Sequence, residues 1–120
     1  YFPENFNLIT KIEDLQEDYD IITNFEVIEH LEKEDQLGLL ELISSKLKKN
    51  GLLYISTVRK ITPPPTKNRE IEHKYELSYE ELYNLCSKIF TRVLTFGQID
   101  QNIGTYHKDN TYHNLFICYK

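Results

Sequence analysis

The sequence has 120 residues, 40% of them hydrophobic, and a formal net charge of −5. This ordinary globular composition excludes a wholly disordered chain, and the short apolar runs predict no membrane span. The net negative charge argues against a domain that binds nucleic acid through its phosphates. Cys86 and Cys118 lie far apart among apolar neighbours, and we interpret them as reduced core thiols of a cytoplasmic protein.

The first predicted elements are two short strands joined by an acidic turn. Residues 6–10 predict a strand, and the turn follows at Glu13-Asp14-Leu15. Residues 19–23 form a compact run rich in β-branched side chains. Such a run is typical of a strand that is buried on both faces, as in a parallel sheet.

A helix and another strand come next. The charged segment 26–31 leads into a stretch where apolar residues recur at helical spacing. The members of this stripe are Leu39, Leu40, Ile43 and Leu47. Asn50-Gly51 predicts the left-handed end of the helix, and residues 52–56 predict a second buried strand. Strand, helix and strand together predict a βαβ unit with parallel pairing.

The second half of the chain predicts one further helix and two strands. A stiff proline-containing loop spans residues 61–67. Ser78 and Glu81 have the spacing of a capping box, which predicts a helix beginning there. Residues 90–96 and 114–118 predict strands. Strands that alternate with helices indicate the α/β class.

Several of these segments carry the resemblance to a known family. The run YDIITNFEVIEHL at residues 19–31 and the run LKKNGLLYIS at residues 47–56 closely resemble class I S-adenosylmethionine-dependent methyltransferases. The resemblance continues through residues 73–82 to Phe96-Gly97-Gln98 and covers nearly the whole chain. That last part is similar to methyltransferases acting on sugars, quinones and other small hydroxyl-bearing acceptors.

The resemblance implies a partial Rossmann-like sheet with parallel strands, an antiparallel last strand and flanking helices. The family's strand order is three-two-one-four-five-seven-six. Its glycine-rich cofactor loop has no counterpart here, because no two of the four glycines are spaced as in G-x-G-x-G. We therefore expect residues 1–120 to form one truncated methyltransferase-like domain, inactive in isolation. The strand at residues 19–23 would then be an exposed edge, which predicts a homo-oligomer or a partner chain that completes the sheet.

The resemblance also implies which residues contact the cofactor, S-adenosylmethionine. In the family, an acidic turn contacts the adenine ring. A second group of cofactor-binding residues follows the fourth strand, at the carboxyl end of the sheet where open α/β sheets bind ligands. The implied cofactor-binding residues are Glu13, Asp14, Leu15, Asn24, Phe25 and Glu26.

Carboxylates and imidazoles form the most reactive predicted cluster. On a helical turn Glu26, Glu29 and His30 would share one face. They could hold a divalent cation or place a general base beside an acceptor hydroxyl. Small-RNA terminal methyltransferases use a similar Glu-x-x-Glu-His with a later histidine, and the context of His73 looks similar. We favour His30 and His73 as catalytic base or acceptor-positioning groups; a metal held by Glu26, Glu29, His30 and His73 is the alternative.

The resulting hypothesis is the C-terminal part of an S-adenosylmethionine-dependent methyltransferase that methylates a hydroxyl of a small-molecule or saccharide acceptor. No membrane or nucleic-acid partner is expected. One alternative is a non-catalytic truncated domain serving as a partner or scaffold. The other is a relative of metal-dependent RNA 3′-end methyltransferases.

His107 and His113 are predicted to be structural or solvent-exposed loop residues.

Overall fold

The computed structural model describes residues 8–11, 14–16 and 18–120. The expected strand at residues 6–10 is not confirmed, because residues 6 and 7 lie outside this description and residues 8–10 have no regular secondary structure. Glu13 of the predicted acidic turn also lies outside the described residues.

The described chain alternates strands and helices, which confirms the α/β class. Two short 3₁₀ helices, Ile28–His30 and Lys108–Asn110, accompany the main elements. The strands and α-helices, in chain order, are β1 (Tyr19–Phe25), α1 (Lys33–Lys46), β2 (Leu47–Val58), α2 (Lys67–Glu72), α3 (Tyr79–Ile89), β3 (Arg92–Ile99), β4 (Asn102–Gly104) and β5 (His113–Tyr119).

The sheet has five strands in the order β1-β2-β5-β3-β4. β1 and β2 pair in parallel around α1, so the predicted βαβ unit is confirmed. β5 runs antiparallel to both β2 and β3, as the resemblance implies for the last strand. The short edge strand β4 was not predicted from the polar sequence that forms it.

The core lies between the sheet and helices α1 and α3. Helix α1 contributes Leu40 and Ile43, and α3 contributes Leu82 and Cys86. The strands supply alternate residues, as a period of two requires. Their buried apolar side chains are Leu47, Leu53 and Ile55 from β2 and Phe116 and Cys118 from β5. Cys86 and Cys118 are both buried and free, as predicted.

Strand β1 differs from the expectation of burial on both faces. Ile21 is 53% exposed and Phe25 is 51% exposed. Ile22 faces the other way and packs against the core cluster. Within the described part of the chain, β1 is an edge strand that pairs with β2 alone, as expected from the resemblance. The face that carries Ile21 and Phe25 is also exposed.

The end of α1 also differs from the prediction. The helix stops at Lys46, and Leu47 already begins β2. Asn50 has the expected left-handed backbone, with φ of 66°, but it lies within the irregular start of the strand. The chain is tight here, because a Cβ on Gly51 would lie 3.2 Å from the carbonyl oxygen of Asp20.

Helix α3 begins as predicted. Ser78 Oγ accepts a hydrogen bond from the Glu81 amide at 3.1 Å, and Glu81 Oε2 accepts one from the Ser78 amide at 2.8 Å. Helix α2 was missed, and the side chain of Thr66 caps it by accepting from the Arg69 amide at 3.2 Å. None of the helices described is long and apolar enough to span a membrane.

Candidate functional site

One edge of the sheet collects most of the predicted site residues. The parallel strands β1 and β2 end there, and the antiparallel β5 begins there. In open α/β sheets this carboxyl edge is where ligands bind. The 3₁₀ helix Ile28–His30 follows β1 directly and places two titratable side chains at this edge.

Glu29 is the buried acid of the site, with 1% exposure. Its Oε2 accepts a hydrogen bond from Thr57 Oγ1 at 2.8 Å. Its backbone oxygen accepts from the amides of Lys74 and Tyr75 at 2.9 and 3.2 Å. Burial raises the pKa of Glu29, although its hydrogen bonds oppose that shift. A negative charge held here is therefore poorly solvated and attracts a proton or a cation.

His30 and His73 lie next to this acid and are both held through Nδ1. His30 Nδ1 lies 3.0 Å from the carbonyl oxygen of Glu72, and His73 Nδ1 lies 2.7 Å from Glu76 Oε1. A carbonyl oxygen only accepts, so Nδ1 of His30 carries the hydrogen. The two rings meet edge to face with centroids 4.9 Å apart.

The structure brings together three of the four residues proposed for a metal. One ligand atom from each of Glu29, His30 and His73 lies within 4.8 Å of the others. Glu26 does not belong to this group. It precedes the 3₁₀ helix, so the expectation that Glu26, Glu29 and His30 share one helical face is wrong.

Glu26 has a left-handed backbone, with φ of 53°, and its side chain contacts a different set of partners. Oε1 accepts from Ser56 Oγ at 2.7 Å, and Oε2 lies 3.4 Å from His113 Nε2. His113 begins β5 rather than lying in a loop. Its Nδ1 is buried and has no partner among the described residues.

Sequence reasoning missed four residues that shape this edge: Ser56, Thr57, Glu76 and His113. The alternation of β2 could have placed Ser56 and Thr57 at the strand's end, on opposite faces of the sheet. The spacing of His73 and Glu76 gives no signal alone, since the segment that contains them is not helical. No local pattern linked His113 with Glu26.

The cofactor-binding candidates are divided between a groove and the surface. Leu15 and Asn24 both line a groove of about 520 Å³ beside α1 and β1. Asn24 Oδ1 is buried and lacks a partner within the described chain. Asp14 and Phe25 are exposed. A smaller groove of about 260 Å³ lies beside His73 and is also lined by Tyr75.

Comparison with known proteins places these features in context. The sequence model of a methyltransferase domain matches residues 3–94. A solved S-adenosylmethionine-dependent methyltransferase from Archaeoglobus fulgidus is 20% identical with a TM-score of 0.67, over 97% of this chain and 68% of that chain. No curated protein sequence compared with the chain matches it.

Two further solved structures share the fold. The small RNA methyltransferase HEN1 is 22% identical with a TM-score of 0.68, over 92% of this chain and 15% of that chain. The 1,6-didemethyltoxoflavin-N1-methyltransferase of Burkholderia thailandensis, solved with S-adenosylhomocysteine, is 17% identical with a TM-score of 0.61. That match covers 92% of this chain and 48% of that one. At these identities the likeness shows the fold alone, and the chain spans less than half of either protein.

Proposed function

The chain belongs to the methyltransferase-domain family, and we propose that it forms the acceptor side of an S-adenosylmethionine-dependent O-methyltransferase. The acceptor would be a hydroxyl group of a small molecule or a saccharide. The observation that carries this proposal is the meeting of Glu29, His30 and His73 at the carboxyl edge of the sheet.

The arrangement suits removal of a proton from an acceptor hydroxyl. When bound, S-adenosylmethionine would supply an electrophilic methyl group on a sulfonium, whose sulfur would leave as a neutral thioether when the C–S bond breaks. As the acceptor oxygen takes the methyl group, its proton must leave, and Nε2 of His73 or His30 can accept it. The buried carboxylate of Glu29 lies close enough to stabilise the resulting imidazolium. Most of the remaining rate enhancement would come from holding the two reactants in line.

The larger groove fits one side of the cofactor. Its apolar lining, which includes Leu15 and Ile21, suits a flat ring system, and the unpartnered Asn24 Oδ1 offers an acceptor to an amine. We assign cofactor binding to these residues together with the other cofactor-binding candidates from residues 13–15 and 24–26. Those candidates are Glu13, Asp14, Phe25 and Glu26.

Three basic side chains in the region of His73 are already engaged within the protein, which supports a small acceptor over a nucleic acid. Arg59 Nε donates to the Thr111 carbonyl oxygen at 2.7 Å, and Arg69 is paired with Glu76. Lys60 Nζ lies 3.8 Å from a carboxylate oxygen of Glu81. Cations already paired within the protein contribute less to binding a phosphate backbone.

A second candidate function is metal-dependent methylation of an RNA 3′ end. It is favoured by the donor set itself, because two imidazoles and a carboxylate within 4.8 Å of one another suit a divalent transition metal. Glu29, His30 and His73 would hold the ion, and Glu26 would join only after leaving Ser56. A non-catalytic role as a partner domain or scaffold is the third outcome to be tested.

The test is a methyl-transfer assay with the polypeptide expressed from the complete reading frame. Labelled S-adenosylmethionine is offered with saccharides, phenolic acceptors and an RNA that ends in a free ribose, with and without a chelator. We expect transfer to a small hydroxyl acceptor that persists in the chelator and falls in His73→Ala. The control His107→Ala alters an exposed histidine outside the site and should keep full activity. Transfer to RNA alone, lost on chelation and restored by Mn²⁺, would favour the metal enzyme, and no transfer would favour the scaffold.

A further inference from the structure

The segment that carries His73 is fixed to the site by a carboxylate that the proposed chemistry does not use. Glu76 Oε1 lies 2.7 Å from His73 Nδ1, and both side chains are largely buried, with exposures of 11% and 14%. A carboxylate beside Nδ1 of a histidine decides which ring nitrogen carries the hydrogen.

Arg69, from helix α2, prevents this carboxylate from turning away. Its Nη2 donates to Glu76 Oε2 at 2.9 Å, and its Nε donates to Oε1. The same Nη2 also donates to the Arg59 carbonyl oxygen at 2.7 Å, so the guanidinium is anchored to the end of β2. Planar two-point pairing of this kind fixes the carboxylate in orientation as well as in position.

Glu76 is held in its ionised form. Both of its carboxylate oxygens accept from the Arg69 guanidinium, and pairing with this permanent positive charge favours the ionised carboxylate. An ionised carboxylate can only accept hydrogen bonds. The hydrogen between Glu76 and His73 must therefore belong to Nδ1 of the imidazole, which leaves the lone pair of the neutral ring on Nε2.

We infer that Glu76, held by Arg69, is a positioning residue that fixes His73 in the Nδ1-protonated tautomer and turns Nε2 towards Glu29 and His30. This deepens the proposed function and rests on it, since the orientation matters to the enzyme only if Nε2 of His73 acts there. A purely structural pair would hold α2 to the following segment without setting the tautomer. The two roles can be separated because the tautomer is observable in the folded chain without catalysis.

The test is long-range ¹H–¹⁵N NMR of the imidazole nitrogens in the ¹⁵N-labelled 120-residue chain, at about pH 9, where histidine is ordinarily neutral. We expect His73 to be protonated on Nδ1 in the wild type. In Glu76→Ala the major form should reverse to Nε2-protonated. Glu76→Gln should keep the Nδ1-protonated form, because its amide oxygen can still accept. His30, held by a backbone oxygen, is the internal reference and should not change.

The matched control is Glu72→Ala, which removes an exposed carboxylate next to His73 in sequence and should leave both tautomers unchanged. An Nε2-protonated His73 in the wild type would overturn the inference without any variant, so the test survives even if Glu76→Ala fails to fold. An unchanged tautomer in a folded Glu76→Ala would overturn it as well. If the tautomers behave as expected but the complete polypeptide transfers no methyl group, the proposed function fails and the positioning role stands.

Discussion

Thr57 donates a 2.8 Å hydrogen bond to Glu29, a carboxyl group with 1% exposure. The bond compensates only part of the cost of removing this acid from water, since burial still raises its pKa. A carboxyl whose pKa is raised on folding adds stability below its unfolded pKa, which is close to 4.5. That contribution is lost as the pH rises through the folded value. At neutral pH the charge on Glu29 therefore lowers the stability of the fold.

The first prediction follows from the destabilising effect of the Glu29 charge at neutral pH. Glu29→Gln removes the charge and keeps an oxygen that can accept from Thr57, so the variant should be more stable than the wild type at pH 7.5. The difference should shrink as the pH falls towards 4.5, where the wild-type carboxyl is protonated. Urea unfolding at several pH values measures it. The variant should also lose methyl transfer in the complete polypeptide, as expected where a functional site costs stability.

Glu76→Gln is the matched control for this experiment. The pKa of the Glu76 carboxyl is lowered in the folded chain, so its charge stabilises the fold at neutral pH, whereas the charge on Glu29 destabilises it. The variant should be destabilised at neutral pH by about 1.5–3 kcal/mol, the usual cost of losing hydrogen bonds to a charged group. Its deficit should shrink on acidification. Glu29→Gln that is less stable than the wild type at pH 7.5 would contradict the prediction.

The capping box of α3 gives the second prediction. Ser78→Ala removes the acceptor for the Glu81 amide and should lower the free energy of unfolding by about 1 kcal/mol. The control is Ser87→Ala, the same chemical change at an exposed position in the same helix. It should be neutral or slightly stabilising, because alanine is the better helix former. Equal losses from both substitutions would argue against a specific cap.

The third prediction concerns the cofactor. The groove beside Asn24 provides one part of a cofactor-binding site. The 120-residue sequence has no G-x-G-x-G segment that could complete the site. We therefore expect the 120-residue chain to bind S-adenosylmethionine weakly or not at all in titration calorimetry. The polypeptide from the complete reading frame is the comparison and should bind more tightly if it contains that segment. Micromolar binding by the 120-residue chain would show the prediction to be wrong.

The fourth prediction concerns the exposed face of β1. Ile21 is 53% exposed on an edge strand, and edge strands with apolar side chains associate readily. Sedimentation velocity should show concentration-dependent association of the wild-type chain, reduced in Ile21→Lys. Ile71→Lys is the control, since Ile71 is 73% exposed but belongs to helix α2 and not to strand β1. A wild-type chain that stays monomeric over a wide concentration range would refute this expectation.

The sequence predicted the helices α1 and α3, because their apolar spacing and capping residues lie within the helices themselves or next to them in the chain. Ser78 and Glu81 cap α3 with their own backbone, and the stripe of α1 needs only helical spacing. Helix α2 escaped detection because its six residues have no apolar stripe. Its support includes a cap at Thr66 and the tertiary pair of Arg69 with Glu76. The edge position of β1 was expected from the resemblance, but the exposure of the face that carries Ile21 was not, because the apolar run of β1 matches that of a strand buried on both faces.

The site was predictable to the extent that it depends on one segment. Glu29 and His30 are adjacent, whereas His73 was joined to them only by resemblance, and no spacing places it there. Glu26 could not be separated from Glu29 in advance, since its left-handed backbone is a property of the turn after β1. The pairing of Glu26 with His113 depends on the position of β5 in the sheet, which is a tertiary fact.

The position of β5 in the middle of the sheet has a consequence for synthesis. Although β5 is the last strand in the sequence, it pairs with β2 on one side and β3 on the other. While a ribosome still holds residues 113–119, the nascent chain can build β1, α1 and β2 but cannot join them to β3 through this strand. Both open edges then stay available to wrong partners, and the long-range closure is intrinsically slow. Cooperative folding of this chain should therefore begin only after its last strand has left the exit tunnel.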